Sequence, residues 1–355
     1  MKILNIPNFY YPNIGGIEQT ARDITHAFLE KGVTEQRVLC MSRTDRKTVH
    51  EEVDGIPVVR CGYSAKVRSQ VMSLDFVREL KALMDGFQPD VVILHYPNPF
   101  TLFHLMRYAD RKFQFILYWH SDIVKQKVLG KLFRSLEIRA AERADCIIAT
   151  SPNYIEGSRV LGRFREKCRV VPSCIDPSRF VVTPEIRERA DRIRAEHAEK
   201  TLCFAFGRHV PYKGFEYLEE ARKYLPKEID VVIGDRLSQE ELIAYLSACD
   251  IFCFPSITKN EAFGLGLAEG MLFGHPAVTF TIPGSGVNYV SLSGITGIEC
   301  PNRDAHAYAE ALIRLARDPA LRESLGQEAR ERVLRNFTYE TYKERIVGVI
   351  SAAYI

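Results

Sequence analysis

The chain has 355 residues, 46% of them hydrophobic and 26% charged, with a net charge of +3 and nine cysteines. That length exceeds one comfortable core and predicts two domains, while the charge balance excludes a disordered chain or a dedicated nucleic-acid binder. No apolar run approaches the ~20 residues of a membrane span, and an odd, scattered set of cysteines reads as buried reduced thiols of a cytoplasmic protein, with no metal-site spacing.

The first apolar stretch, "KILNI" at 2–6, is read as a β-strand and not as a signal peptide. It is followed by "PNIGGIEQTARDI", in which Gly15 and Gly16 precede a helix predicted from about Ile17 to 31. Glycines at a helix N-terminus let an anion approach free N–H groups, although a plain turn and cap accounts for the pair equally well. Further strands are predicted at 36–41, 57–61, 90–95, 114–119, 145–150 and 168–172. Several lack polar alternation, as parallel strands covered on both faces do. Residues 1–172 therefore read as a doubly wound α/β domain. The strand 114–119 ends in "WHSD", which puts His120 at a strand carboxyl end, where such sheets bind ligands.

Residues 1–180 hold 27 basic and 20 acidic residues, a balance of +7, and the remainder balances at −4. The excess gathers in 107–143, with nine basic residues against four acidic. Read as a helix, 125–143 has an apolar stripe of Val128, Leu132 and Leu136, flanked by Lys125, Lys127, Lys131, Arg134, Arg139 and Arg143. Such a helix suits an anionic membrane surface; packing of the stripe on the sheet is the competing reading.

Residues 173–200, with two prolines and a charge-rich helix, read as a linker. The alternating pattern restarts with strands at 201–206, 230–234, 251–255, 275–280 and 295–300, and the chain closes with helices at 304–317, 319–335 and 338–354. After the first of these strands, "FGRHVPYKG" places Arg208 and Lys213 at a strand-to-helix corner, the chemistry of a diphosphate clamp. After the third, "ITKNEAFGLGLAEGMLFGHP" sets Glu261 in a loop and Glu269 inside a helix starting near Gly264. No Lys or Arg lies between Asn260 and Phe280, so these acids need a partner from elsewhere in the chain or from a ligand, such as sugar hydroxyls. "PGSGVNYV" at 283–290 adds a third loop at a strand carboxyl end.

In this order and spacing, Gly15-Gly16, Arg208 and Lys213, and the E-x7-E pair Glu261 and Glu269 resemble glycosyltransferase family 4, over nearly the whole chain. The resemblance implies an α/β chain of GT-B fold: two Rossmann-like doubly wound domains facing a central cleft. These are a domain 1–172 on the acceptor side, completed by the C-terminal helix 338–355, the linker 173–200, and a nucleotide-sugar donor domain 201–337. It implies a retaining transfer of a hexose from GDP-mannose or a UDP-hexose to a glycan, with no metal or other cofactor. The acceptor would be polyprenyl-diphosphate-linked, for bacterial surface polysaccharide, with the protein peripheral on the inner face of the membrane. Arg208 and Lys213 would hold the diphosphate, Glu261 and the amides of Phe263, Gly264 and Leu265 the transferred sugar, Glu269 the ribose, and His120 would stand beside the reacting sugar. Two features depart from the family: "SCID" (173–176) replaces an N-G-[IV]-D segment, and the chain between "VVIGD" and "SQEEL" is short. A sugar-nucleotide epimerase of the same fold, or a catalytically silent sugar-nucleotide-binding subunit, is the alternative.

Overall fold

The computed structural model describes residues 1–13, 15–67, 70–123 and 129–354, with 67, 70 and 129–132 described by backbone alone. The chain divides into two compact units: 1–150 with 158–171 and 343–355, and 151–157 with 172–342.

The first unit is built on an eight-stranded sheet. Its strands are β1 (Ile3–Ile6), β2 (Gln36–Met41), β3 (Val49–Val53), β4 (Ile56–Cys61), β7 (Val91–Tyr96), β8 (Gln114–Trp119), β9 (Cys146–Ala149) and β10 (Cys168–Val170), in the order β10-β9-β8-β7-β1-β2-β4-β3. Between β4 and β7 a separate hairpin pairs β5 (Ala65–Val67) with β6 (Gln70–Met72). All neighbours in the large sheet are parallel except β3 and β4. The apolar runs explain the parallel strands. β7 is buried along its whole length, and Phe115 to Trp119 of β8 are fully buried, as helices on both faces require. Strand order reverses between β1 and β7, so that is the switch point of this sheet.

Three strands were not expected from the sequence. β3 lies at the sheet edge with an exposed, polar pattern, VHEEV, and β5 and β6 have three residues each. The nine cysteines are all free, eight of them buried. Among the described residues no helix is long and apolar enough to cross a membrane.

The second unit has a five-stranded, all-parallel sheet of β11 (Thr201–Phe206), β12 (Ile229–Gly234), β13 (Ile251–Phe254), β14 (Ala277–Phe280) and β15 (Gly297–Cys300), ordered β12-β11-β13-β14-β15. Here the switch point falls between β11 and β13. β12 runs directly into the helix Gln239–Ala248, whose start is fixed by a reciprocal Ser238–Glu241 capping box. The short connection noted in the sequence therefore leaves β12 at the edge of the sheet.

The stretch 173–200 is more than a tether. It holds the helix Pro184–Glu196, which buries Ile186, Ala190 and Ile193 in the core of the second unit. Arg194 of that helix pairs with Asp250 at 2.7 Å, and Asp250 also accepts from Leu202 N–H. In the "SCID" segment, Asp176 accepts from Ser178 N–H and opens a short 3-10 turn, and Ile175 N–H bonds Phe337 O. The last helix, Tyr339–Tyr354, passes into the first unit from Lys343 onward; there Ile346 and Ile350 are fully buried, and Lys343 bonds Glu30 at 2.7 Å.

Candidate active site

In the second unit, the loops leaving β11 and β13 meet at the switch point. Gly214 makes the approach possible. Its φ of +66° is strained for any residue with a side chain, and a Cβ there would lie 2.1 Å from Pro255 O. Tyr212 O accepts from Ile257 N–H at 2.9 Å, joining the two loops. Between them Lys213 Nζ donates to Glu261 Oε2 at 2.6 Å. Both side chains are largely buried, at 16% and 14% exposure, and the ammonium also lies 4.8 Å from the Phe254 ring centroid. Ser256 Oγ approaches the same carboxylate oxygen at 3.4 Å.

The partner sought for Glu261 is thus a lysine 48 residues away, absent from its own segment. Glu269 differs. It stands on the helix Leu265–Leu272 with no hydrogen bond or ion pair among the described residues, near enough to Arg179 and Lys213 to feel their charge. Burial raises its carboxyl above the usual range, and those two cations offset this only in part.

Gly264 caps that helix, as the sequence indicated. The amides of Phe263, Gly264 and Leu265 donate to no acceptor among the described residues, leaving N–H groups and the positive helix end close along the chain to Glu261. Phe263 is anchored edge-on to Phe337, with centroids 5.3 Å apart. The "PGSGVNYV" loop supports the segment from below: Gly286 N–H donates to Ala262 O at 3.0 Å, and Ser285 Oγ to Glu261 O. Arg208 stands exposed just beyond β11, its guanidinium bonded to nothing among the described residues. This arrangement offers a cation pair, free amides and two carboxylates, the donors and acceptors that a diphosphate and a polyhydroxylated ligand need.

The first unit presents its own residues around its switch point. The helix after β1 spans Gly16–Glu30, and its N-terminus is already faced by an anion from the chain itself. Glu18 is buried against Gly15, so closely that a Cβ on Gly15 would lie 2.3 Å from its Oε2. Arg43 holds the same carboxylate at 3.0 Å. The sequence reading of Gly15-Gly16 as an open anion cradle overlooked Glu18, three residues on. His120 follows β8 and is 9% exposed. Its Nε2 lies 2.8 Å from His95 Nδ1, and His95 Nε2 lies 2.9 Å from Asn5 Oδ1. Burial depresses His120 to a pKa of about 3, and burial, followed by the neighbouring His120, holds His95 well below the ordinary histidine value. Asn5 and His95 were missed because nothing local marks them; both read as interior strand positions.

Of the basic stretch 125–143, residues 125–128 and the side chains of Leu129 to Leu132 lie outside the described residues. Over the rest of the helix Leu129–Arg143, Glu137, Ala140 and Ala141 are buried, with Glu137 accepting from Tyr96 OH, while Arg134 and Arg139 are exposed. Arg143 is occupied internally, donating to Ala109 O at 2.6 Å and Phe113 O at 3.0 Å.

Comparison with known proteins gives two family matches and several full-length relatives. Residues 15–174 match the Glycosyl transferase 4-like domain family, and 228–332 match Glycosyl transferases group 1. The chain is 28% identical to O-antigen chain mannosyltransferase C of Escherichia coli, covering 95% of each protein. It is also 28% identical to D-rhamnosyltransferase WbpZ of Pseudomonas aeruginosa, covering 95% of this chain and 92% of that one. Among solved structures it resembles a sucrose-phosphate synthase from Thermosynechococcus elongatus, with a TM-score of 0.76 at 19% identity over 100% of this chain and 99% of that one. The Anabaena HepE protein in complex with UDP-glucose gives 0.72 at 17% identity, over 99% of this chain and 100% of that one. These likenesses fix the fold class as GT-B.

Proposed function

Since the chain belongs to the glycosyltransferases of the 4-like and group 1 families, we propose that it is a retaining enzyme that moves mannose, or a closely related hexose, from a GDP-sugar to a growing surface polysaccharide. The observation that carries this reading is the Lys213–Glu261 pair beside the unbonded amides of 263–265. A donor diphosphate would draw Lys213 away from Glu261, and Arg208 would join it on the phosphates. The freed Glu261 carboxylate would then accept hydroxyls of the transferred sugar, Glu269 would take the ribose hydroxyls, and the amides would face the sugar. GDP is favoured over UDP because relatives along nearly the full length are a mannosyltransferase and a D-rhamnosyltransferase.

In the proposed step the bond from the anomeric carbon to the diphosphate oxygen breaks and the bond to the acceptor oxygen forms on the same face. The acceptor proton passes to the leaving phosphate oxygen. Arg208, Lys213 and the helix end stabilise the charge that develops there, with no metal required. His120 contacts a hydroxyl of a sugar substrate. A polyprenyl-diphosphate-linked saccharide is the proposed acceptor, received at the inner leaflet.

The test is a panel of GDP- and UDP-sugars screened for thermal stabilisation, followed by product analysis with the donor that binds. Release of free GDP that depends on acceptor, with the anomeric configuration retained by NMR, supports the reading. An inverted product, or binding without transfer to any glycan acceptor, overturns it in favour of a different mechanism or a silent binding subunit.

A further inference from the structure

The first unit contains a line of buried polar side chains for which the donor site has no use. Asn5 on β1 and His95 on β7 are 0% and 1% exposed, and they stand on the two strands that flank the switch point. The line can be read atom by atom. Asn5 Nδ2 donates to Ala21 O at 2.9 Å, so the Oδ1 of the same amide is an acceptor. His95 Nε2, 2.9 Å from that oxygen, must then carry a hydrogen. Burial keeps His95 neutral, so its Nδ1 is bare and accepts. The group 2.8 Å from it is His120 Nε2, which therefore carries the hydrogen of that ring. His120 is itself neutral, so its Nδ1 is left with a lone pair. Among the described residues Nδ1 has no hydrogen-bond partner. Tyr118 stacks on both imidazoles, with centroids 4.5 Å from His120 and 5.4 Å from His95, which fixes their planes.

Three polar groups buried in series incur desolvation that an apolar core would avoid, and such a chain is worth keeping when it orients something. We propose that Asn5 and His95 are positioning residues that hold His120 in its Nε2–H tautomer, so that Nδ1 is a standing hydrogen-bond acceptor for a sugar hydroxyl. A bare imidazole nitrogen welcomes a hydroxyl proton and repels a phosphate oxygen, so the position selects for the sugar part of a substrate. The tautomer stands on the hydrogen bonds together with the neutrality that burial imposes on both rings; the identity of the ligand as a sugar rests on the function proposed above. The hydroxyl belongs either to the transferred sugar or to the acceptor glycan.

The experiment uses the full chain labelled with 15N-histidine and long-range 1H–15N correlation spectra between pH 6 and 8, with the His120 signals assigned through His120→Asn. The expected spectrum shows His95 and His120 both as neutral Nε2–H rings. His95→Phe removes the acceptor and should release His120 into a mixture of tautomers. Asn5→Leu removes the first link and should allow the whole line to reverse, giving His120 an Nδ1–H; it provides a second reading if His95→Phe fails to fold. An Nδ1–H on His120 in the unmodified protein, or an unmodified spectrum surviving in the folded variants, overturns the proposal.

Kinetics then identify the sugar. Acceptor-free hydrolysis of GDP-mannose slowed roughly tenfold in kcat by His95→Phe, about the worth of one well-placed hydrogen bond, assigns the hydroxyl to the transferred sugar. Unchanged hydrolysis with slowed transfer assigns it to the acceptor. Both rates unchanged refutes a substrate contact. If the unmodified protein neither hydrolyses nor transfers from any nucleotide sugar, the proposed function fails, and the spectra still decide the tautomer.

Discussion

Replacing Lys213 with methionine keeps the volume of the side chain and removes its charge, leaving the Glu261 carboxylate with only a distant Ser256 hydroxyl. At a separation of 2.6 Å the direct attraction is about 6 kcal/mol at an effective dielectric constant of 20. Desolvation of two groups that are each about six-sevenths buried offsets most of this. The surviving coupling should be about 1–3 kcal/mol. Urea denaturation of Lys213→Met, Glu261→Gln and the double variant would measure it as the departure from additivity, and thermal melts should follow at about 2–4 °C per kcal/mol for a protein region of this size. Repeating the cycle in GDP that saturates all four proteins makes the test functional. If the diphosphate takes Lys213, the coupling should fall below about 0.5 kcal/mol, the usual error of additivity. Additivity without ligand would refute the claim that the pair is an energetic unit. Coupling undiminished by GDP would refute the claim that Lys213 leaves Glu261 for the phosphates.

Transfer should persist in EDTA, and Arg208→Ala should lower kcat about 10²-fold, the scale of one lost electrostatic donor; activity abolished by EDTA and restored by Mg²⁺ would count against this clamp. Glu269 gives a pH signature: its folded carboxyl holds a proton more tightly than the unfolded one, so its destabilising effect is absent at low pH and grows as pH rises from about 4.5 through the folded value. Glu269→Gln should therefore melt higher than the unmodified protein at pH 7, equally at pH 4, and lose part of its stabilisation by GDP, all readable by scanning fluorimetry. Sedimentation with phosphatidylglycerol vesicles should weaken in Lys127→Glu/Lys131→Glu/Arg134→Glu and in high salt, at about 1 kcal/mol per basic residue; indifference to vesicles at low salt would remove the membrane from the reading.

How much of this was legible in the sequence depended on distance along the chain. "DVVILH" announced β7 because a parallel strand covered on both faces leaves a continuous apolar run. β3 stayed hidden because an edge strand with Val49, His50 and Glu52 exposed has no such run. Gly264 at a helix start and the loop position of Glu261 followed from local pattern. The Lys213–Glu261 bond did not, because residues 48 apart meet only through the crossover between adjacent strands. Asn5 and His95 were further from view, 90 residues apart and each inside a strand that reads as ordinary core. Glu18 was near Gly15 in sequence, but only the backbone path shows the carboxylate folded back onto the helix start.

The membership of the last helix bears on how the protein is made. Residues 343–355 belong to the unit that begins at Met1, and among them Ile346 and Ile350 are fully buried. A chain emerges from the ribosome N-terminus first, at about 5–20 residues per second, and a domain ordinarily folds once its last residue is out. Here the first unit must wait for residues translated after the whole of the second. For roughly ten seconds or more at those rates, while residues 172–342 are being added, the first unit lacks Ile346 and Ile350. The first unit is thus completed only by residues translated after the second.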